Sequence, residues 1–206
     1  MKQILLKLGG SLALVLGAWT VIWLPLVLGE SRAAELREQV LGAADAPVSI
    51  IEYSSLTCPH CAQFHTDVLP GLKERYIAPG KVKLIYRDFP LDQRALAAAT
   101  LAHCAGPDRY FGFLDVLFQS QAQWARSDDL GALMQLGRLA GMSEEQMNQC
   151  LADQELQDAI LKTRLDAQDQ FDVRSTPTFV IDGEAYAGSR DVDAFAEIID
   201  PLLGGS

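Results

Sequence analysis

The sequence predicts an α/β fold with a mixed central sheet flanked by helices and a helical subdomain inserted in the middle of the chain. Three observations predict it. A strand, a helix and a second strand follow one another between residues 48 and 86. Residues 91–171 then carry only helical patterns, and a two-stranded segment with a closing helix follows from residue 178. The first three elements form a βαβ unit, which requires a parallel strand pair and a right-handed crossover.

The composition fits one well-buried domain. The chain has 206 residues, 49% of them hydrophobic, with 17 basic and 27 acidic side chains and a formal net charge of -10. No basic cluster interrupts this acidic balance. We therefore expect no nucleic-acid partner.

Residues 1–33 are predicted to be a targeting segment outside the fold. Lys2 and Lys7 precede an apolar run over residues 8–28, and this order of charges directs everything beyond the run to the exterior of the cytoplasm. Residues 31–33 resemble a signal-peptide cleavage site, whereas a run of roughly 20 apolar residues is long enough to cross a bilayer. A cleaved signal peptide and a membrane tether both fit, and both deliver a domain over residues 34–206 to the same side.

Hydrophobic runs and the residues that punctuate them predict the elements of the βαβ unit. A short helix is expected over Ala33–Leu41, with Gly42 as its stop. The β-branched run Val48–Tyr53 predicts a buried strand. The remaining segments are a helix from Pro59 to about Ile77, with an interruption expected at Pro70-Gly71, and a second strand over Val82–Tyr86.

In the helical block, alanine, leucine and aromatic residues recur at helical spacing. The predicted helices are Leu91–Cys104, Tyr110–Gln119, Asp129–Ala140 and Asp153–Gln170. Ser143 followed by Gln146 is a capping-box signature. After the block, the expected elements are strands at Thr178–Ile181 and Glu184–Tyr186, joined by a hairpin turn at Asp182-Gly183, and a helix over Asp191–Ile199.

The motif Cys58-Pro59-His60-Cys61 follows the first strand and opens the first long helix. Proline suits the first helical position, because its missing N–H would be unpaired there anyway, and this makes Cys58 the N-cap residue. The Cys58 sulfur then faces the free N–H groups of His60 and Cys61 at the positive end of the helix. A thiolate is stabilised there, so we expect a lowered pKa for Cys58, with His60 adding positive charge. Cys61 is the expected resolving thiol.

A second feature converges on this dithiol. Thr176-Pro177 lies just before the third strand, and a cis-proline at that position turns the preceding backbone toward the dithiol. An extended substrate chain can then pair with the backbone of Thr176. A CxxC motif between a strand and a helix, together with such a proline, is a hallmark of the thioredoxin fold.

The segment Glu52–Cys61, with Arg174–Phe179 downstream, resembles the DsbA family of bacterial disulfide oxidases. The similarity covers roughly Ala46–Leu203, including the helical insertion at about 91–171. It implies a periplasmic oxidase that passes its disulfide to reduced exported polypeptides and uses no cofactor beyond the dithiol. It also implies a quinone-linked membrane partner, similar to DsbB, that reoxidises the enzyme. We expect a monomer, because no dimerisation module is recognised.

Glu52 matches a carboxylate that the family keeps six positions before the first cysteine. An acid in an apolar strand is partly desolvated, and we expect it to exchange a proton with Cys61. Alternatively, Glu52 pairs with Arg87 or Lys83 for structure alone.

Two alternatives concern the activity. The best-known enterobacterial member of the family has valine before its cis-proline, whereas this chain has Thr176. Thiol isomerases and some other oxidases carry threonine there, so an isomerase or a client-specific reductant of the same fold is the alternative. A more remote one is a zinc-binding module formed by Cys58, Cys61, His65 and His103. Otherwise His65 is expected to cap or pack on the first helix, and His103 to be an ordinary helical residue.

Cys104 and Cys150 both fall in the helical block. Four cysteines permit three pairings, but two remaining thiols in one subdomain are expected to bond to each other in an oxidising compartment. The alternative is two buried, unpaired thiols.

Overall fold

The sheet is built from five strands among the residues that the structure describes, 36–127 and 129–204 of a computed structural model. They are β1 (Gln39–Leu41), β2 (Val48–Ser54), β3 (Val82–Asp88), β4 (Thr178–Ile181) and β5 (Glu184–Ala187). Their order is β1-β3-β2-β4-β5, with β2 and β3 parallel and the other neighbours antiparallel. The predicted mixed sheet is confirmed. The predicted targeting segment, residues 1–33, lies outside the described residues.

Strand β2 lies at the centre of the sheet. It pairs with β3 from Val48 through Ser54 and with β4 from Ile50 through Tyr53. Because Tyr53 is opposite Thr178 in an antiparallel pair, the chain that leaves β2 runs beside the chain that enters β4. These two segments carry the CxxC motif and the Thr176-Pro177 pair.

The helix predicted over Ala33–Leu41 is wrong where the structure describes it. Gln39–Leu41 forms an antiparallel edge strand whose residues face Tyr86, Ile85 and Leu84 of β3. The open edge of β3 offers backbone hydrogen bonds that a three-residue strand satisfies, and this pairing overrides a weak helical pattern. Gly42 has a φ of +107° and turns the chain away from the sheet. It does not stop a helix.

The helical segment after the dithiol runs from Pro59 to Ile77 as predicted, but it alternates between two geometries. It comprises α1 (Pro59–Gln63), a π-helical stretch (Phe64–Val68), α2 (Leu69–Leu72) and a second π-helical stretch (Lys73–Ile77). Pro70 cannot donate the hydrogen bond that residue 70 of an α-helix would give to residue 66. The helix widens over the preceding turn and does not break.

Helices alone fill the described chain between β3 and β4, and the inserted helical subdomain is confirmed. They are α3 (Gln93–Cys104), α4 (Pro107–Gln119), α5 (Gln121–Trp124), α6 (Gly131–Leu139), α7 (Glu144–Leu151) and α8 (Gln154–Phe171). The Ser143–Gln146 capping box is present, whereas the short α5 was not predicted. The last helix, α9 (Val192–Gly204), runs past the predicted end at Ile199 and contains Pro201.

The apolar core of the helical subdomain extends to the dithiol. Leu56, Cys58 and Cys61 belong to the same buried cluster as Leu117 and Phe118 of α4. The subdomain therefore packs directly against one side of the CxxC motif. None of the helices in the described ranges is long and apolar enough to cross a membrane.

A disulfide joins Cys104, the last residue of α3, to Cys150 in α7, with their Cα atoms 6.3 Å apart. The sequence separation is 46 residues. The bond ties two helices that also pack against each other through buried side chains. It cross-links the helical subdomain internally and does not touch the sheet.

We expect the double substitution Cys104→Ala/Cys150→Ala to lower the free energy of unfolding by about 3–4 kcal/mol, because the unfolded chain loses a cross-link that closes a long loop. Urea unfolding of the oxidised protein measures this difference. Cys104→Ala alone should cost nearly the same, since either substitution opens the loop. Equal stabilities of the wild type and the double variant would contradict the prediction.

Candidate active site

Cys58 occupies the N-cap of α1 with an extended backbone, φ −82° and ψ 120°, and Pro59 is the first helical residue. This is the geometry that the motif predicts. The Cys58 side chain faces the backbone N–H groups of His60 and Cys61, and both act on its ionisation. Pro59 and His60 are exposed. The sulfur therefore lies where the helix presents unpaired donors and partial positive charge.

The pKa of Cys58 is lowered from its ordinary value of 9.0 to about 5. The largest contribution is a hydrogen bond from the Cys61 thiol. Burial acts in the opposite direction, and further hydrogen bonds from the Thr176 side chain and from the backbone N–H groups of Cys61 and His60 lower the pKa again. Cys58 is a thiolate at neutral pH, which is the nucleophilic form of the residue.

Cys61 differs in every respect. Its side chain is fully buried, whereas Cys58 keeps 6% of its surface exposed. Burial raises the pKa of Cys61 far above the ordinary value, and the hydrogen bond to Cys58 and the charge on Cys58 raise it further. The two cysteines, both free thiols in this structure, thus form one thiolate that reaches the surface over a small area and one fully enclosed thiol.

Thr176-Pro177 is a cis peptide bond and lies beside the dithiol. The Cys58 Sγ is 3.3 Å from the Thr176 carbonyl oxygen. The Thr176 hydroxyl is buried and has no hydrogen-bond partner among the described residues, so it can turn toward the sulfur when Cys58 is ionised. The loop before β4 therefore offers both a backbone strand and a hydroxyl to whatever binds at Cys58.

The alternative in which Glu52 pairs with Arg87 or Lys83 is wrong. In the parallel pairing, Arg87 is opposite Tyr53 and Lys83 is opposite Ser49, while Glu52 is opposite Tyr86. Side chains alternate along a strand, so both cations point to the other face of the sheet. Arg87 binds the Tyr53 hydroxyl and Glu38, and Lys83 binds the Ala44 carbonyl.

Glu52 instead pairs with His65, which the sequence analysis expected to cap or pack on the first helix. The Nε2 atom of His65 lies 3.0 and 3.1 Å from the two carboxylate oxygens of Glu52. Burial opposes a charge on His65, but Glu52 and Asp115 outweigh it and raise the pKa of the imidazole. The spacing of four residues from Cys61 was a usable signal, because it puts His65 on the same helix face.

Gln121 was also missed by the sequence analysis. Its buried side-chain amide donates hydrogen bonds to the carbonyl oxygens of Leu56 and Cys58, at 2.8 and 2.9 Å. It fixes the loop that carries the first cysteine. No local pattern marks it, because its role depends on how α5 packs against a loop 63 residues away.

The four residues of the zinc alternative do not come together as a metal site. His65 pairs with Glu52, and His103 pairs with Asp88 at 2.8 Å. In the part of the chain that the structure describes, no three His, Cys, Asp or Glu side chains are grouped so that they could hold a metal ion.

A family model described as Thioredoxin matches residues 35–201. Among similar curated proteins, a putative protein-disulfide oxidoreductase of Rickettsia felis is 30% identical over 81% of this chain, and disulfide bond formation protein D of Bacillus subtilis is 26% identical over 82% of this chain and 78% of its own length. The chain spans 60–64% of the length of the Rickettsia relatives.

Solved structures agree with the fold. Alpha-DsbA1 of Wolbachia pipientis is 35% identical, with a TM-score of 0.76 over 82% of this chain and 92% of that one. A protein-disulfide isomerase of Novosphingobium aromaticivorans is 27% identical, with a TM-score of 0.69 over 81% of this chain and 97% of that one. The likeness confirms the thioredoxin fold with its helical insertion.

We expect the thiolate absorbance of the reduced protein to titrate with a midpoint near pH 5, because the hydrogen bonds described above favour the ionised sulfur of Cys58. Cys58→Ser should abolish this transition. Thr176→Val should raise the midpoint by removing one donor, whereas Thr176→Ser should retain it. A midpoint near 9 in the wild type would refute the proposed stabilisation of the thiolate.

The stability of the reduced protein should rise with pH between about 5 and 9. The folded pKa of Cys58 is about 5 and its ordinary value is 9.0, so in this window the unfolded chain holds a proton that the folded chain has released. The ionised Cys58 makes its full contribution to the free energy of unfolding above pH 9, and this contribution is lost as the pH falls through 5. Urea unfolding of the reduced wild type and of Cys58→Ser measures it. A difference that stays constant with pH would contradict the linkage.

Proposed function

The chain belongs to the DsbA-like family of thioredoxin-fold proteins, and we propose that it is a thiol:disulfide oxidoreductase that introduces disulfide bonds into exported polypeptides through Cys58 and Cys61. One observation carries the proposal. The two sulfurs have opposite pKa shifts, one far below and one far above the ordinary value. This contrast suits a dithiol that gives its disulfide away, because a stabilised Cys58 thiolate stabilises the reduced enzyme.

The reaction begins with the disulfide form of the enzyme. A substrate thiolate attacks the Cys58 sulfur, the bond between Cys58 and Cys61 breaks, and Cys61 leaves and takes up a proton. A second substrate thiolate then attacks the substrate sulfur of the mixed disulfide, and Cys58 leaves as a thiolate. The substrate has lost two electrons and the enzyme has gained them. A low leaving-group pKa speeds this second step.

We place the attack of the substrate thiolate at Cys58, because its side chain keeps a small exposed area whereas that of Cys61 is fully buried. In this proposal Pro59 and His60 shape and charge the turn, and the backbone at Thr176-Pro177 pairs with an extended segment of the substrate. Glu52 exchanges the proton with Cys61. Support for that role comes from the charge of Glu52, which is among the groups that raise the pKa of Cys61.

We place the folded domain, residues 34–206, outside the cytoplasm, in the periplasm. The charge pattern around the apolar run of residues 8–28 supports export with either cleavage or tethering. Two electrons must leave the reduced dithiol in each cycle, and we assign them to a quinone-linked membrane partner of the DsbB type. The protein acts as a monomer, and the dithiol needs no cofactor.

A thiol isomerase or a client-specific reductant is the second candidate, favoured by Thr176 before the cis-proline. An isomerase or a reductant must be held reduced in the cell, whereas an oxidase is held oxidised. Alkylation of free thiols in acid-quenched cells separates the two. A mostly oxidised Cys58–Cys61 pair supports the oxidase, and a mostly reduced pair overturns it in favour of the second candidate.

Cys58→Ser should abolish the oxidation of a reduced, unfolded protein, because no sulfur remains for the first attack. Cys61→Ser cannot form the enzyme disulfide, but its Cys58 thiolate can attack a disulfide of the substrate and displace one substrate thiolate. Mixed disulfides should then accumulate, since no second enzyme thiol is left to release Cys58. Oxidative refolding of a reduced protein, followed by non-reducing electrophoresis, measures both effects. Cys104→Ala/Cys150→Ala is the matched control and should still turn over. Full activity of Cys58→Ser would refute the mechanism.

A further inference from the structure

We propose that His65 is a proton relay that connects Glu52, and through it the Cys61 sulfur, with solvent at a surface groove around Asp115. The inference rests on the proposed function, because a relay is needed only if Cys61 gains and loses a proton in each cycle. It identifies a residue that positions and moves the proton without touching the substrate.

The Cys61 sulfur has no direct path to water in the reacting complex. Its side chain is fully buried, and the helical subdomain packs against one side of the dithiol. In the mixed disulfide the substrate occupies the Cys58 side. A proton must therefore reach Cys61 through groups of the protein. The charge of Glu52 acts on Cys61, and His65 contacts Glu52.

The inner end of the path is a closed pair. The side chains of Glu52 and His65 are both essentially inaccessible, with relative exposures of 0% and 1%. The His65 Nε2 atom contacts both oxygens of the carboxylate. The ring itself is clamped between aromatic neighbours, and it stacks on Phe118 with ring centroids 4.1 Å apart. The imidazole therefore holds one orientation, with Nε2 toward Glu52.

The outer end of the path lies beneath a partly exposed carboxylate. The Nδ1 atom of His65 is buried and has no hydrogen-bond partner among the described residues. It lies 4.0 Å from the Oδ1 atom of Asp115, just beyond a direct hydrogen bond. The Asp115 side chain is 34% exposed and is held by Lys73 at 3.3 Å. The solvent-connected groove there has a volume of about 260 Å³, and His65, Lys73 and Asp115 line it.

The two nitrogens of His65 thus face two different carboxylates, the buried Glu52 and the partly exposed Asp115. An imidazole can accept a proton on one nitrogen and release one from the other. The charged and titratable groups around it come from every packed element: Cys61 on α1, Glu52 on β2, Tyr86 on β3, Lys73 on the second π-helical stretch and Asp115 on α4. Glu52 and Asp115 raise the pKa of the imidazole above its ordinary value, although burial acts against them.

Each proton transfer balances. When the substrate thiolate attacks Cys58, the electron pair of the broken bond remains on the Cys61 sulfur. Nδ1 of neutral His65 takes a proton from the side of Asp115 while Nε2 gives its proton to the Glu52 carboxylate. Glu52 then passes that proton to the Cys61 sulfur. The reverse sequence releases the proton of Cys61 when the membrane quinone-linked oxidant accepts the two electrons.

The test uses single-turnover oxidation of a reduced dithiol peptide by the full chain at a series of pH values. His65→Gln keeps a side-chain donor for Glu52 but does not titrate. We expect its rate at neutral pH to fall by about a hundredfold, the lower end of what proton transfer by a side chain contributes. The rate should also lose the part of its pH dependence that the imidazole confers. Asp115→Asn should cause a smaller fall in rate. Asp67 is an exposed carboxylate on the π-helical stretch that carries His65, and Asp67→Asn should leave the rate unchanged.

A second measurement separates a relay from a structural role. His65→Ala opens the groove to Glu52, and added imidazole should restore a large part of its rate. If His65→Gln keeps the wild-type rate and pH profile, or if Asp115→Asn is unchanged and imidazole restores nothing, the relay is refuted while the oxidase remains. If the wild type itself oxidises no peptide, the proposed function fails, and the relay fails with it. Should His65→Ala not fold, the Gln and Asn variants still decide the question.

Discussion

The pairing of β2 with β4 is the constraint on which the site depends. Tyr53 lies opposite Thr178, so the loop after β2 and the loop before β4 meet above the same edge of the sheet. Cys58 and Thr176, 118 residues apart in sequence, become neighbours through this register alone. A shift by one residue would turn Glu52 to the opposite face. The sheet thus determines that Thr176 lies beside the Cys58 sulfur and that Glu52 faces His65.

The dithiol is asymmetric because its two sulfurs belong to different environments. Cys58 faces outward, toward a helix N-terminus and the Thr176 hydroxyl, where negative charge is favoured. Cys61 faces inward, toward apolar side chains and the charge of Glu52, where a proton is favoured. One turn of α1 separates them, so a single helix start gives the pair both a nucleophile and a proton acceptor. Neither property needs a metal or an organic cofactor.

Much of the fold and part of the site were predictable from local sequence patterns. The strands of the βαβ unit, the N-cap position of Cys58 and the capping box at Ser143 follow from residues within one turn of each other. The edge strand Gln39–Leu41 was not predictable in this way, because its conformation depends on the open side of β3. Strand alternation would have excluded Arg87 and Lys83 as partners of Glu52 once the parallel register was known. Gln121 depends on tertiary packing and leaves no mark in the sequence.

The disulfide between Cys104 and Cys150 bears on how the site assembles from distant parts of the chain. The loop that must close to bring Cys58 to Thr176 spans 118 residues, and the cross-link bypasses 46 of them. Since doubling a loop costs only about 0.6 kcal/mol of closure entropy, this shortcut contributes a few tenths of a kcal/mol. The meeting of the two halves must therefore be driven by burial in the sheet and its flanking helices. The cross-link acts as a local brace of the subdomain and leaves the topology of the site to the hydrophobic core.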